Sequence, residues 1–120
     1  MEKKQLLVSQ KEIEKQLQEV NLTHDPVLLN KRRKWFREHE IKIFTMYGKT
    51  YLTPIHVKVT EIIRRLDIIN RMHVRVRVEQ DEEKLQSYAA KLKSELEWFQ
   101  EHELHVRLVE FGEISYYIYE

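Results

Sequence analysis

Apolar residues recur along this chain with two different periods, and the switches between them predict its elements. Over residues 3–20, Leu6, Ile13, Leu17 and Val20 fall at helical spacing among Lys, Glu and Gln, a narrow stripe that predicts an amphipathic helix. Asp25-Pro26 supplies an N-cap followed by proline at the first helical position, and opens a second helix over 26–39. Two β-prone runs at 41–47 and 50–53 then flank Gly48-Lys49, the pattern of a hairpin. Thr53-Pro54 repeats the cap signal, and Val59, Ile62, Ile63, Leu66, Ile69 and Met72 place a third helix over 54–72. Strict alternation returns at 73–79, where Val74, Val76 and Val78 point one way and His73, Arg75 and Arg77 the other, as in a half-buried strand. Asp81-Glu82-Glu83 puts acids where the helix dipole favours them, and Leu85, Tyr88, Ala89, Leu92, Leu96 and Phe99 line a long helix behind them. Strands at 104–110 and 114–119, joined through Gly112, complete the order α-α-β-β-α-β-α-β-β. The expected fold is one α+β domain over 1–120, a mixed sheet packed on helices.

A repeat runs through this order. Trp35-Phe36-Arg37-Glu38-His39-Glu40-Ile41-Lys42-Ile43 matches Trp98-Phe99-Gln100-Glu101-His102-Glu103-Leu104-His105-Val106 at a constant offset of 63 residues. Each copy leads into a two-stranded pattern with a glycine turn, so a helix–hairpin unit is expected twice, at about 26–53 and 82–119. Aromatic and aliphatic positions persist between the copies while charge changes: Arg32 matches Glu95, Lys34 matches Glu97 and Arg37 matches Gln100. Packing explains the first set, and charge is what distinguishes the copies.

Composition narrows the chemistry. At 120 residues the chain suits one core, and its 42% hydrophobic content is that of a folded protein. With 21 basic against 20 acidic residues, attraction to nucleic acid or an anionic surface must come from local clusters. The absence of cysteine excludes disulfides, thiolate nucleophiles and cysteine-based metal sites. No apolar run approaches the ~18 residues of a membrane span, and residues 1–5 precede no apolar signal region, so a cytoplasmic protein without a membrane partner is expected.

Two surfaces qualify as binding sites. Lys31, Arg32, Arg33, Lys34 and Arg37 lie beside Trp35 and Phe36, and cations on a helix neutralise phosphates while exposed aromatics stack on bases. A basic helix followed by a hairpin resembles, loosely, the recognition helix and wing of a winged helix. The plainer reading is a solvated face that attracts an acidic helix of its own domain. The second surface is the polar side of the expected sheet: His73, Arg75, Arg77, His105, Arg107, Tyr117 and Tyr119, a basic and aromatic platform of the kind RNA-binding sheets use. Its plainer reading is the ordinary polar face of a half-buried sheet.

Catalytic signals are weak. His102 and His105 have a His-x-x-His spacing, but a zinc site needs three or four ligands and no second pair is evident. With two glycines there is neither a phosphate-cradling loop nor a nucleophile elbow. The expectation is a small non-catalytic regulator, of a type suited to a bacterium or phage, that binds another protein or pairs with a second copy and needs no cofactor. Nucleic-acid binding through the basic helix or sheet face is the alternative, and a His-dependent metal hydrolase the weakest reading.

Overall fold

Two helices followed by an antiparallel hairpin occur twice in the computed structural model, which describes residues 8–120. The chain divides into two units, one ending at Pro54 and the other running from Ile55 to Glu120. The first holds α1 (Gln10–Leu22), α2 (Pro26–Glu38), β1 (Ile43–Met46) and β2 (Lys49–Leu52). The second holds α3 (Val59–Val78), α4 (Glu82–Glu101), β3 (Val106–Phe111) and β4 (Ile114–Tyr119). The α+β class and the helix–hairpin repeat therefore stand, and the repeat extends one helix further toward the N-terminus in each copy.

Local chemistry accounts for most boundaries. Ser9, Asp25 and Asp81 cap α1, α2 and α4, each side chain accepting from the backbone N–H three residues on. Residues 3–7 of the expected first helix, Leu6 included, lie outside the described residues, and the helix opens at Gln10. Thr53-Pro54 starts no helix; α3 begins at Val59 behind Lys58, which makes no side-chain cap. Tyr47 and Gly48 both take positive φ, 52° and 77°, the two-residue type I′ turn that suits the twist of a hairpin. In the longer hairpin, Gly112 takes φ 63° at the first turn position and β3 pairs with β4 from Val106↔Tyr119 to Phe111↔Ile114.

One expected strand is helix. Residues 73–78 continue α3, and the sheet is not mixed: each hairpin is its own two-stranded antiparallel sheet. Val74, Val76 and Val78 cost a helix only a few tenths of a kcal/mol each, whereas extending a nucleated helix gains a backbone hydrogen bond per residue. No glycine or proline interrupts the run, and an Arg71–Asp67 ion pair at 3.0 Å braces it. The helical spacing of Ile62, Leu66 and Ile69, all fully buried, continues to half-buried His73 and Val76.

The two copies align residue by residue. Ile13, Leu17, Val20 and Asn21 of α1 correspond to Ile62, Leu66, Ile69 and Asn70 of α3. Both helices of the first unit have 13 residues and both of the second have 20, joined by three-residue loops at 23–25 and 79–81. The second helical hairpin is thus longer by two turns on each arm, and the strands lengthen from four to six residues.

Candidate functional site

Asparagine fixes each hairpin to its first helix. Asn21 Nδ2 donates to the Thr50 carbonyl at 3.0 Å while its Oδ1 accepts from the Thr50 N–H at 2.7 Å; Asn70 makes the same pair with Tyr117 at 3.0 and 2.6 Å. The side-chain amide thus pairs with the second strand as a neighbouring strand would. Sequence periodicity gave no sign of this, because Asn21 and Asn70 lie among ordinary polar positions; only alignment of the first helices exposes it.

That clamp sets which face of the second hairpin meets the helices. Cross-strand partners share a face, so Val106, Leu108 and Glu110 lie with Tyr119, Tyr117 and Ser115. Tyr119 is buried with its ring 6.5 Å from that of Phe99, and the Tyr117 ring meets His73 edge-on at 5.3 Å. The expected aromatic platform is therefore overturned: His73, Arg75 and Arg77 are on a helix, and Tyr117 and Tyr119 face inward. A two-residue turn at Gly112-Glu113 places Tyr117 opposite Leu108, and this register was the signal available in the sequence. Of the predicted set, His105 is exposed ahead of β3, and exposed Arg107 lies on the outer face, paired with Glu120.

The outer face is apolar instead. Val109, Phe111, Ile114, Tyr116 and Ile118 share it, with Phe111 78% and Ile114 64% exposed. Beside the inner face, α3 brings His73 and Arg77 onto Ser115: His73 Nε2 lies 2.7 Å from the hydroxyl oxygen and Arg77 Nη1 donates to it at 2.8 Å. Burial and the Arg77 charge lower the His73 pKa, against an opposing pull from Glu110. Arg75 points elsewhere, over the Tyr88 ring at 5.4 Å.

The basic helix is divided by its packing. Arg32 is half-buried and bonded to Glu19 of α1 at 2.5 Å, while Arg33 is half-buried. Lys31, Lys34 and Arg37 are exposed and, among the described residues, have no carboxylate partner. Trp35 is half-buried with its ring 4.3 Å from His39, and Phe36 is fully buried, so neither is a free stacking platform. Arg32 and its counterpart Glu95 are not outward charges. Glu95 is 2% exposed and accepts from Arg65 of α3 at 2.8 Å, so each unit joins its helices with an ion pair of reversed polarity.

The histidine pair does not converge on an ion. His102 Nδ1–H donates to the Trp98 carbonyl at 2.7 Å and its backbone carbonyl accepts from His56 Nε2 at 2.7 Å. Among the described residues no three His, Asp or Glu side chains are placed to hold a metal, and no helix is long and apolar enough to cross a membrane. The fold and these surfaces define a tandem α+β protein with one basic helix face and one apolar hairpin face. The chain matches no family model, and no curated protein or solved structure is similar to it.

Proposed function

We propose that this chain is a non-catalytic interaction protein whose target is an apolar segment of another protein. The observation that carries this reading is the outer face of the second hairpin. Phe111, Ile114 and Tyr116 are exposed together there, and the face's charged pair, Arg107 and Glu120, neutralises itself. Contiguous exposed apolar side chains on a soluble domain mark interaction sites, and aromatic anchors dominate binding energy at such sites. A face with no net charge offers nothing to a phosphate backbone. The test is capture from native lysate by wild-type chain and by a Phe111→Ser/Ile114→Ser variant. Capture of one specific protein, retained at high salt and lost in the variant, is expected. Equal capture by the variant would overturn the reading, and a concentration-dependent doubling of mass abolished by the same substitutions would make the target a second copy.

A second reading rests on a different observation. Lys31, Lys34 and Arg37 stand exposed on α2 with no carboxylate partner among the described residues, and 1–54 holds eleven basic against seven acidic residues. Such a face neutralises phosphates without reading sequence. It predicts nucleic-acid binding that weakens steeply with salt and disappears when these three residues become Glu. Arg32 is left intact because it holds α1 to α2.

A further inference from the structure

The second unit differs from the first by two additions, and they meet. His73 and Arg77 lie in the seven residues by which α3 outruns α1, and Glu110, Phe111, Ile114 and Ser115 are the residues by which the second hairpin outruns the first. The corner where they touch has no counterpart in the first unit. It is an open depression lined by His73, Arg77, Leu108, Glu110, Ile114 and Ser115, among others.

We propose that this corner binds a carboxylate carried next to an apolar group, the chemistry of a peptide's C-terminal residue. The proposal rests on the protein-binding reading above and gives it a second anchor. Among the described residues Arg77 has no carboxylate partner, and its hydrogen bond to the Ser115 hydroxyl occupies a small part of its five-donor fork. A guanidinium so placed accepts a carboxylate in a two-bond, planar arrangement, and the Ser115 hydroxyl and His73 ring stand within hydrogen-bonding distance of each other beside it. Leu108 and Ile114 offer an apolar wall to the adjoining side chain. Charge selects the anion. His73 is biased toward its neutral form by burial and by Arg77, so Arg77 is the permanent cation, while Glu110 lies directly across the strands from Ser115 and Glu113 lines the same depression. With both glutamates present the surroundings already hold more negative than positive charge, so a carboxylate rests on its direct bonds to Arg77, and a phosphate dianion is opposed about twice as strongly.

The probe is N-acetyl-leucine, with uncharged N-acetyl-leucinamide and inorganic phosphate as comparisons at constant ionic strength, followed by NMR on the full chain. Saturable, millimolar binding is expected, with shifts centred on the His73 ring, Ser115 and Leu108. Arg77→Gln should weaken it at least tenfold, and Arg75→Gln, which removes the same charge from the same helix, should not. Arg77→Lys, which keeps the charge but loses the fork, should fall between them and guards against a loosened hairpin in Arg77→Gln. An equal response to the amide, tighter binding of phosphate, or an Arg77→Gln variant that binds like wild type would each overturn the site. Carboxylate binding without capture of any protein would sink the protein-binding reading and leave the site standing; capture with no response to N-acetyl-leucine would do the reverse.

Discussion

The nine-residue match between the copies is, at the level of single residues, a way of stopping a helix. His39 and His102 occupy the C-cap, and the next residues, Glu40 and Glu103, both have φ of 58°. The Ile41 N–H reaches the Phe36 carbonyl at 2.9 Å and the Glu40 N–H the Arg37 carbonyl at 3.1 Å; Leu104 to Phe99 and Glu103 to Gln100 repeat these bonds at 2.8 and 3.1 Å. This is the paired bonding of a Schellman cap. Each histidine lies over the tryptophan one turn earlier, with centroids 4.3 Å apart in both copies, and bonds its carbonyl. Glutamate is an unusual choice at the left-handed position, where glycine carries no Cβ penalty. Glu103 is exposed and in no ion pair among the described residues, so Glu103→Gly should stabilise the protein by about 1 kcal/mol. Urea unfolding measures this; a lower midpoint in the variant would mean the Glu103 side chain has a role in the fold that its contacts do not reveal.

At the level of elements, the asparagine clamp decides whether a hairpin stays on its helices. Removing the Asn70 amide leaves the N–H and carbonyl of Tyr117 without their partners at a half-buried site, and each unmet group costs about 1–3 kcal/mol. Asn70→Ala should therefore lower stability by about 2–4 kcal/mol, and hydrogen exchange at the Tyr117 amide should accelerate far more than at amides in the middle of α4. Uniform acceleration throughout the second unit would show that the clamp does not act locally. Elements governed by neighbours in sequence were the legible ones. The Asp25-Pro26 cap, the stripe of α4 and the two glycine turns all follow from short-range chemistry, and so does the repeat. What escaped was set by tertiary choice. Val74, Val76 and Val78 alternate as a strand would, yet they continue a helix already anchored by Ile62, Leu66 and Ile69. Tyr117 and Tyr119 alternate with Ile118, and alternation alone cannot say which set faces inward; the clamp and the turn register decide it. The corner formed by His73, Arg77 and Ser115 was hidden for the same reason, since a strand at 73–78 would have separated these side chains. Two of its three members were singled out in the sequence, but on the wrong element.

For the molecule as a whole, the copies show how a unit grows without losing its register. Seven residues fall only about 20° short of two full helical turns, so adding seven to each arm keeps the inward face inward. The loop length is unchanged, and Asp81 caps the longer helix as Asp25 caps the shorter. Removing 72–78 and 82–88 together should therefore restore the architecture of the first unit. It joins Arg71, the counterpart of Leu22, to the 79–81 loop and Asp81 to Ala89, the counterpart of Pro26. The fully buried residues Ile62, Leu66, Ile69 and Phe99 and the Asn70 clamp all lie outside the deletion. Removing either segment alone leaves one arm overhanging the other by about 10 Å, a gap that a three-residue loop cannot cross while also reversing direction. The paired deletion should keep a cooperative thermal transition and dispersed NMR signals while losing the N-acetyl-leucine response, and each single deletion should lose the transition. A single deletion as well folded as the pair would mean that the arms are not held in register by their facing side chains, and the residue-by-residue correspondence of the two units would then lose its physical basis.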